Sequence, residues 1–311
     1  MSGTDAILVT GAGGCIGAWV VARLVRAGRR AVAFDLREDR RRLGLVLDDA
    51  AAGAVPWVVG DVADAAAIET AARGHRAGAI IHLAALQIPF CKADPCAGAL
   101  VNVVGHVAVF EAARRAGVPR LVYASSVAAL PAVASDQHPA TLYGVYKRAD
   151  EGVARVYWQD WRVASIGLRP HTVYGPGRDQ GLTSAPTKAM VAAVAGRAFT
   201  IPFTGPLAFQ YVGEVADAFV RAADTPVEGA YVHDLQGETT TVEAIVEAIR
   251  AHRPDARITS DGPPLPVPAR FDDAPLRRLI GDWPRVSVAD GVARSMAAFP
   301  DLVARGLVTP E

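Results

Sequence analysis

The glycine-rich run Gly11-Ala12-Gly13-Gly14-Cys15-Ile16-Gly17 constrains this chain more than any other feature, because of what flanks it. Before it stands the apolar segment Ala6–Thr10; after it comes a helix-like stretch, Cys15–Ala27, stopped by Gly28. That order makes a strand, a tight turn and a helix whose first N–H groups lack intrahelical partners. Such a terminus attracts anions, through free donors and the positive end of the helix dipole. The same alternation continues along the chain. Strands are expected at Ala31–Asp35, Val55–Val59, Ala79–Ala84, Leu121–Ser125 and Val163–Leu168. Helices are expected at Ala63–Arg73, Cys96–Ala116 and Leu142–Trp161. The strands are apolar without strict alternation, as in a parallel sheet covered on both faces. The pattern predicts an α/β fold with a doubly wound parallel (Rossmann) sheet.

After Pro170 glycine and proline become frequent, as in Gly175-Pro176-Gly177 and Gly262-Pro263-Pro264. Helices are predicted at Pro186–Ala195, Gly213–Ala223, Thr241–His252, Ala274–Leu279 and Val288–Ala298, with no room for a second large sheet. Residues 1–170 therefore read as a dinucleotide domain. Residues 171–311 read as a smaller, mostly helical substrate-binding cap, with some chain returning to the main sheet.

The 32 basic and 32 acidic side chains cancel, which argues against nucleic acid or an acidic membrane as partner. The one basic run, Arg37, Arg40, Arg41 and Arg42, is interleaved with Glu38 and Asp39 and reads as a solvated face. Three cysteines, Cys15, Cys91 and Cys96, do not make a disulfide framework, and no His or acidic cluster beside them suggests a metal. The first strand begins almost at once, so no leader is expected, and no apolar stretch reads as long enough to span a bilayer. A cytoplasmic protein is the expectation.

In a dinucleotide site of this kind Gly11 permits the turn, Gly14 lets the backbone approach the pyrophosphate, and Gly17 lets the helix pack on the sheet. Cys15 and Ile16 contribute their backbone. Asp35 ends the second strand, where a carboxylate accepts from both adenosine ribose hydroxyls and repels a 2′-phosphate. That favours NAD over NADP, with Leu36 and Arg37 alongside; the Arg37 guanidinium keeps NADP as the alternative. Asp61 and Val62 reach the adenine edge, or Asp61 caps the next helix, and both roles are compatible.

Tyr143 and Lys147 are four positions apart and share one helix face. A free tyrosine, with a pKa near ~10, is too weakly acidic to serve as a base at neutral pH, and a neighbouring ammonium favours the phenolate. The lysine can also hold the nicotinamide ribose. Ser125 and Ser126 close the fifth strand and offer a hydroxyl to a reacting oxygen.

With these motifs the chain resembles the extended short-chain dehydrogenases/reductases, the NAD-dependent epimerases/dehydratases. The resemblance is carried by Thr10-Gly11, Gly14, Gly17, Asp35, Gly60-Asp61-Val62, His82-Leu83-Ala84-Ala85, Asn102-Val103-Val104-Gly105, Ala124-Ser125-Ser126, Tyr143 to Lys147, and Arg169-Pro170 with Tyr174-Gly175-Pro176-Gly177. It implies Tyr143 as acid/base, Lys147 as its activator, and Ser126, or else Ser125, as the oxygen-binding hydroxyl. Leu83, Ala84 and Ala85 would line the cofactor, Pro170 and Val173 would lie near the nicotinamide, and Asn102 would buttress the site. His82 reads as a core strand residue. The substrate-side candidates are Ser125, Gln87, Thr172 and Arg178, with Lys188 and His171 close by. Ser184 and Pro186 mark a helix start there.

The chain also departs from the family. The segment between Ser126 and Tyr143 is short, and Val127 and Ala128 replace the acids that sugar dehydratases carry. Thr172-Val173 and Ala208 to Tyr211 stand where nucleotide-sugar enzymes usually place an Asn and an Arg. The expected chemistry is hydride transfer at a secondary alcohol of a sugar or sugar derivative, by an epimerase or a dehydrogenase. The alternatives are reduction of a non-sugar carbonyl metabolite and a non-catalytic NAD sensor. The two long helices resemble those that pair across a homodimer in this family, with Val107, Phe110, Val153, Val156 and Tyr157 as facing residues or as core.

Overall fold

A computed structural model describes residues 5–131 and 138–310. Twelve strands lie among those residues. They are β1 Ala6–Thr10, β2 Ala31–Asp35, β3 Trp57–Val59, β4 Ala77–His82, β5 Leu121–Ala124 and β6 Ser165–Arg169. The second half adds β7 Thr172–Tyr174, β8 Phe199–Ile201, β9 Pro206–Tyr211, β10 Ala230–Asp234, β11 Glu238–Thr241 and β12 Ile258–Ser260.

The main sheet has seven parallel strands in the order β10-β6-β5-β4-β1-β2-β3. The chain winds outward from β1 in both directions, so the crevice between the two windings opens at the carboxyl ends of β1 and β4. Both faces of β1 are covered. Ile7 and Val9 pack into a core shared with helices Cys15–Arg26 and Val212–Asp224, while Ala6 and Leu8 pack against Ala65–His75 and Gly105–Ala116. All four are fully buried, which is why this strand is apolar from Ala6 to Val9.

The segment from Pro95 to Ala116 is not one regular helix. It runs as α-helix Pro95–Ala99, a π-helical turn Leu100–Val104, and α-helix Gly105–Ala116. Its 22 residues include an 18-residue stretch of mean hydropathy 1.6, long and apolar enough by composition to cross a membrane, contrary to the sequence expectation. The apolarity has another origin here: His106, Val109, Phe110, Ala112 and Ala113 are packed in the core. Among the proposed partner-facing residues, Phe110 and Tyr157 are buried, their rings tilted against each other with centroids 5.2 Å apart, whereas Val107 and Val156 point outward.

The second half also carries strand pairings that its Gly and Pro content hid. β11, β9 and β7 form a three-stranded sheet, β12 pairs with β8, and β10 completes the main sheet beside β6. The last helix, Val288–Ala304, runs through Pro300 and ends later than the sequence suggested.

Candidate active site

The turn after β1 sits under the end of β4. Gly11 has φ +71, and a Cβ there would lie 2.5 Å from the Ala84 nitrogen; at Gly17 it would lie 2.1 Å from the Gly11 carbonyl oxygen. Neither position accepts a side chain. Helix Cys15–Arg26 begins at Gly14 with no side-chain cap, so its first N–H groups face the cavity above. Asp35 at the end of β2 accepts from the Gly13 N–H (2.9 Å) and the Leu36 N–H (2.8 Å), which holds its carboxylate beside the turn. Leu36 and Arg37 are exposed next to it. Asp61 accepts from the Ala63 N–H, but the cap of helix Ala65–His75 is Asp64; Val62 is buried behind it.

A cavity of about 430 Å³ opens on this turn. Gly11, Gly14, Cys15, Ile16 and Gly17 line it, with Leu83 and Ala85 from the loop after β4, Pro170 from the β6–β7 turn and Val173 from β7. Ser125, Ser126, Tyr143 and Lys147 form one wall. Gln87, Thr172 and Arg178 also line it, while Lys188 does not. The uncapped helix terminus, the glycines without room for a Cβ, and a carboxylate at the end of β2 fit a dinucleotide. Ala84 backs the glycine turn at its contact with Gly11, and Asn102 lies below, in the π-turn, where it clamps both backbone groups of Leu86 at 2.7 and 2.9 Å.

The wall is built by helix Leu142–Trp161, started by Thr141 accepting from the Gly144 N–H. A Cβ on Gly144 would lie 2.1 Å from the Ala128 carbonyl oxygen, so the helix start is pressed against the turn that carries Ser126. Residues 132–137 of the short connecting segment lie outside the described residues. Lys147 is 2% exposed; its Nζ donates to the Ala124 carbonyl at 2.8 Å and to Asp150 Oδ2 at 3.2 Å, and lies 6.0 Å from the Tyr143 ring centre. Burial disfavours the ammonium, but Asp150 and Tyr143 outweigh it and the lysine is held above its ordinary value. Ser126 accepts from the Ala128 N–H and is half-buried. Ser125 is turned inward instead: its hydroxyl donates to Glu151, which is held by Arg169 at 2.7 Å on both oxygens. It borders the cavity with its hydroxyl already engaged.

Also on the cavity wall, Arg178 donates to Gln87 Oε1 (3.0 Å) and Thr183 Oγ1 (2.8 Å), both neutral, and its Nε has no partner among the described residues. Ser184 starts helix Ala185–Val194, but its hydroxyl points back to the Gly181 carbonyl. His171 donates or accepts at Thr172 Oγ1 (3.0 Å) and meets the Pro268 carbonyl at 2.6 Å, fastening the 265–267 segment over the cavity. Burial lowers its pKa. His82 is a buried strand residue bonded to Thr10 Oγ1, its pKa pushed down to about 3 by burial and then by Lys147. Cys15 lines the cavity, yet burial pushes its thiol up to about 12 against the pull of Arg178 and Arg42.

Sequence reasoning missed several parts of the site. Leu130, Leu182, Leu265 and Val267 form apolar walls, and their loops carry no motif. Asp150, under Lys147, sits one helical turn after a recognisable residue and was readable from spacing alone. A strap was also hidden: Arg42 donates to the Gly13 and Gly177 carbonyls and pairs with Asp179 at 2.6 Å, while Trp19 Nε1 donates to the Pro176 carbonyl. Arg42 thus does more than solvate a helix face. Among the described residues no cluster of metal ligands occurs.

Comparison with known proteins agrees with this geometry. The sequence model of the NAD dependent epimerase/dehydratase family matches residues 7–236. The chain is 30% identical over 311 residues to a UDP-glucose 4-epimerase of Mycolicibacterium smegmatis, covering 94% of this chain and 97% of that protein. It superposes on the Thermus thermophilus UDP-glucose 4-epimerase, solved with NAD, with a TM-score of 0.79 at 25% identity, covering 95% of this chain and 99% of the other. An L-threonine dehydrogenase from Clostridium difficile shares the fold, with a TM-score of 0.84 at 18% identity over 98% and 99% of the two chains. The chain therefore belongs to the NAD dependent epimerase/dehydratase family, enzymes of the extended short-chain dehydrogenase/reductase type.

Proposed function

We propose that the protein moves a hydride at a secondary alcohol or ketone carbon of a sugar or sugar derivative that carries an anionic group. Tyr143 is the acid/base and NAD, rather than NADP, is the cofactor. The observation that carries the reading is a single cavity bounded by the uncapped helix terminus on one side and by Tyr143, Lys147 and Ser126 on the other. When bound, NAD accepts or returns the hydride. The chain does the rest. Ser126 fixes the reacting oxygen, Tyr143 takes the hydroxyl proton, and the Lys147 ammonium stabilises the phenolate and holds the ribose hydroxyls. Asp35 supports the choice of NAD, since its carboxylate accepts from ribose hydroxyls and repels an added phosphate.

Arg178 supports the anionic group. It is a guanidinium in the cavity wall whose hydrogen bonds go to the neutral Gln87 and Thr183, so a carboxylate or phosphate there gains a charge-assisted bond. The sugar reading draws on the epimerase relatives. A second reading, a non-sugar hydroxy acid, is favoured by the apolar walls at Leu130, Leu182, Leu265 and Val267.

The test is turnover with NAD and a panel of aldoses, uronates and nucleotide sugars, read by the absorbance of reduced nicotinamide and by chromatography of the sugar. Accumulating NADH marks a dehydrogenase; an isomer without NADH marks an epimerase that keeps its cofactor. Tyr143→Phe is expected to lose at least about a hundredfold in kcat while binding NAD normally. Unchanged turnover in that variant would refute the assignment.

A further inference from the structure

We propose that Asp150 is a positioning residue of this site: a buried counter-charge that acts through Lys147 to fix the pH range in which Tyr143 exchanges its proton. The inference rests on Tyr143 being the acid/base. It stands on geometry. The Lys147 ammonium, almost wholly buried, meets two oxygens among the described residues: the Ala124 carbonyl, which carries no charge, and Asp150 Oδ2. The Asp150 side chain is fully buried, and its other oxygen, Oδ1, has no partner among the described residues. A carboxylate so placed is not over-stabilised, so it can gain or lose a proton in response to the lysine beside it.

The surrounding groups leave this role to Asp150. From β4, His82 faces the pair, and from helix Gly105–Ala116, His106 does; burial drives the first down to about 3 and the second well below its ordinary value, so both are neutral near pH 7. From β5, Tyr123 is pushed well up by burial and stays a neutral phenol. From helix Ile88–Ala93, Cys91 is raised by burial and stays a thiol. On Asp150's own helix, Leu142–Trp161, Glu151 is paired with Arg169 of β6, which also reaches Asp234 of β10. Burial pushes Asp150 itself up to about 7 against the pull of Lys147, so it is the group near Lys147 whose charge changes close to neutrality.

The consequence follows from Coulomb's law. A negative charge beside Lys147 raises the proton affinity of the whole Tyr143–Lys147 pair. It keeps the buried lysine protonated and at the same time opposes formation of the phenolate. Removing that charge shifts both events toward acid. No proton needs to leave through Asp150 for this to happen; the effect is electrostatic.

The experiment is a pH titration of the tyrosinate absorbance of the full chain, with and without NAD, in four forms: wild type, Tyr143→Phe, Asp150→Asn and the double variant. In each background the signal removed by Tyr143→Phe belongs to Tyr143. In Asp150→Asn that signal is expected to appear on the order of one pH unit lower than in wild type. Asp150→Glu, which keeps the charge, should restore the wild-type position, and Asp150→Ser is the second charge-free variant should the asparagine protein not fold. A signal that stays in place or moves to higher pH in both charge-free variants overturns the proposal. A purely structural role would reduce activity without moving it. The titration needs no substrate, so it fails independently of the functional reading, which fails only if Tyr143→Phe turns over normally.

Discussion

Gly17 has the least freedom of any residue in the cofactor turn. Its Cα hydrogen already faces the Gly11 carbonyl, and a methyl group would sit 2.1 Å from that oxygen. We expect Gly17→Ala to cost roughly 1–3 kcal/mol or more, because helix and turn must separate, and to abolish NAD binding. Thermal unfolding and a fluorescence titration with NAD check both; a variant that binds like wild type would show that the turn yields. At this scale the site was largely legible. The glycines, Ser126, Tyr143 and Lys147 stand out by residue type and local spacing, and they line one cavity. The Ser125 hydroxyl's bond to Glu151 could not be read, because that partner lies 26 positions away, beyond any local pattern. The Arg42–Asp179 pair spans 137 positions and was hidden for the same reason.

The elements show where local pattern stops being enough. Helix Leu142–Trp161 was readable to the residue because Thr141 caps it and a left-handed Arg162 ends it. The π-turn at Leu100–Val104 was not, since periodicity over five residues cannot distinguish it from an α-helix, yet it is what turns Asn102 toward Leu86. Helix Val212–Asp224 gives a pH prediction. Glu214 in its first turn is 3% exposed and accepts from the Val286 N–H at 3.0 Å. Burial raises its carboxyl from 4.5 to about 7. A raised folded value means that the stability contributed by the protonated form is complete below the unfolded value and lost as pH rises through about 7. Glu214→Gln keeps an acceptor for Val286 and has no proton to lose. Its Tm is expected to gain on wild type as pH is raised from about 5 to about 8; a constant difference across that range would rule this out.

Among the described residues an apolar face stands open on two neighbouring helices. Leu100, Val104 and Val107 on one helical segment, and Val145 and Val156 on the neighbouring helix, are between 36% and 49% exposed. We infer that two copies meet there. Sedimentation should give a dimer for wild type and a monomer for Val104→Glu combined with Val145→Glu, and a monomeric wild type would overturn the inference. The overall architecture was legible as far as its winding, because parallel strands buried on both faces are apolar throughout. The small sheets of the second half were not, since their strands are short and bounded by Gly and Pro.

One strand in that second half, β10, has a consequence for how the chain comes into being. It seals the side of β6 that would otherwise present bare backbone groups to any passing strand. Synthesis delivers β6 by residue 169 and β10 only from residue 230, so the growing chain must carry that unsealed margin for some sixty residues of elongation. The last closure of the sheet therefore waits until its six other strands have all been made, and the vulnerable period of this protein falls late in its synthesis.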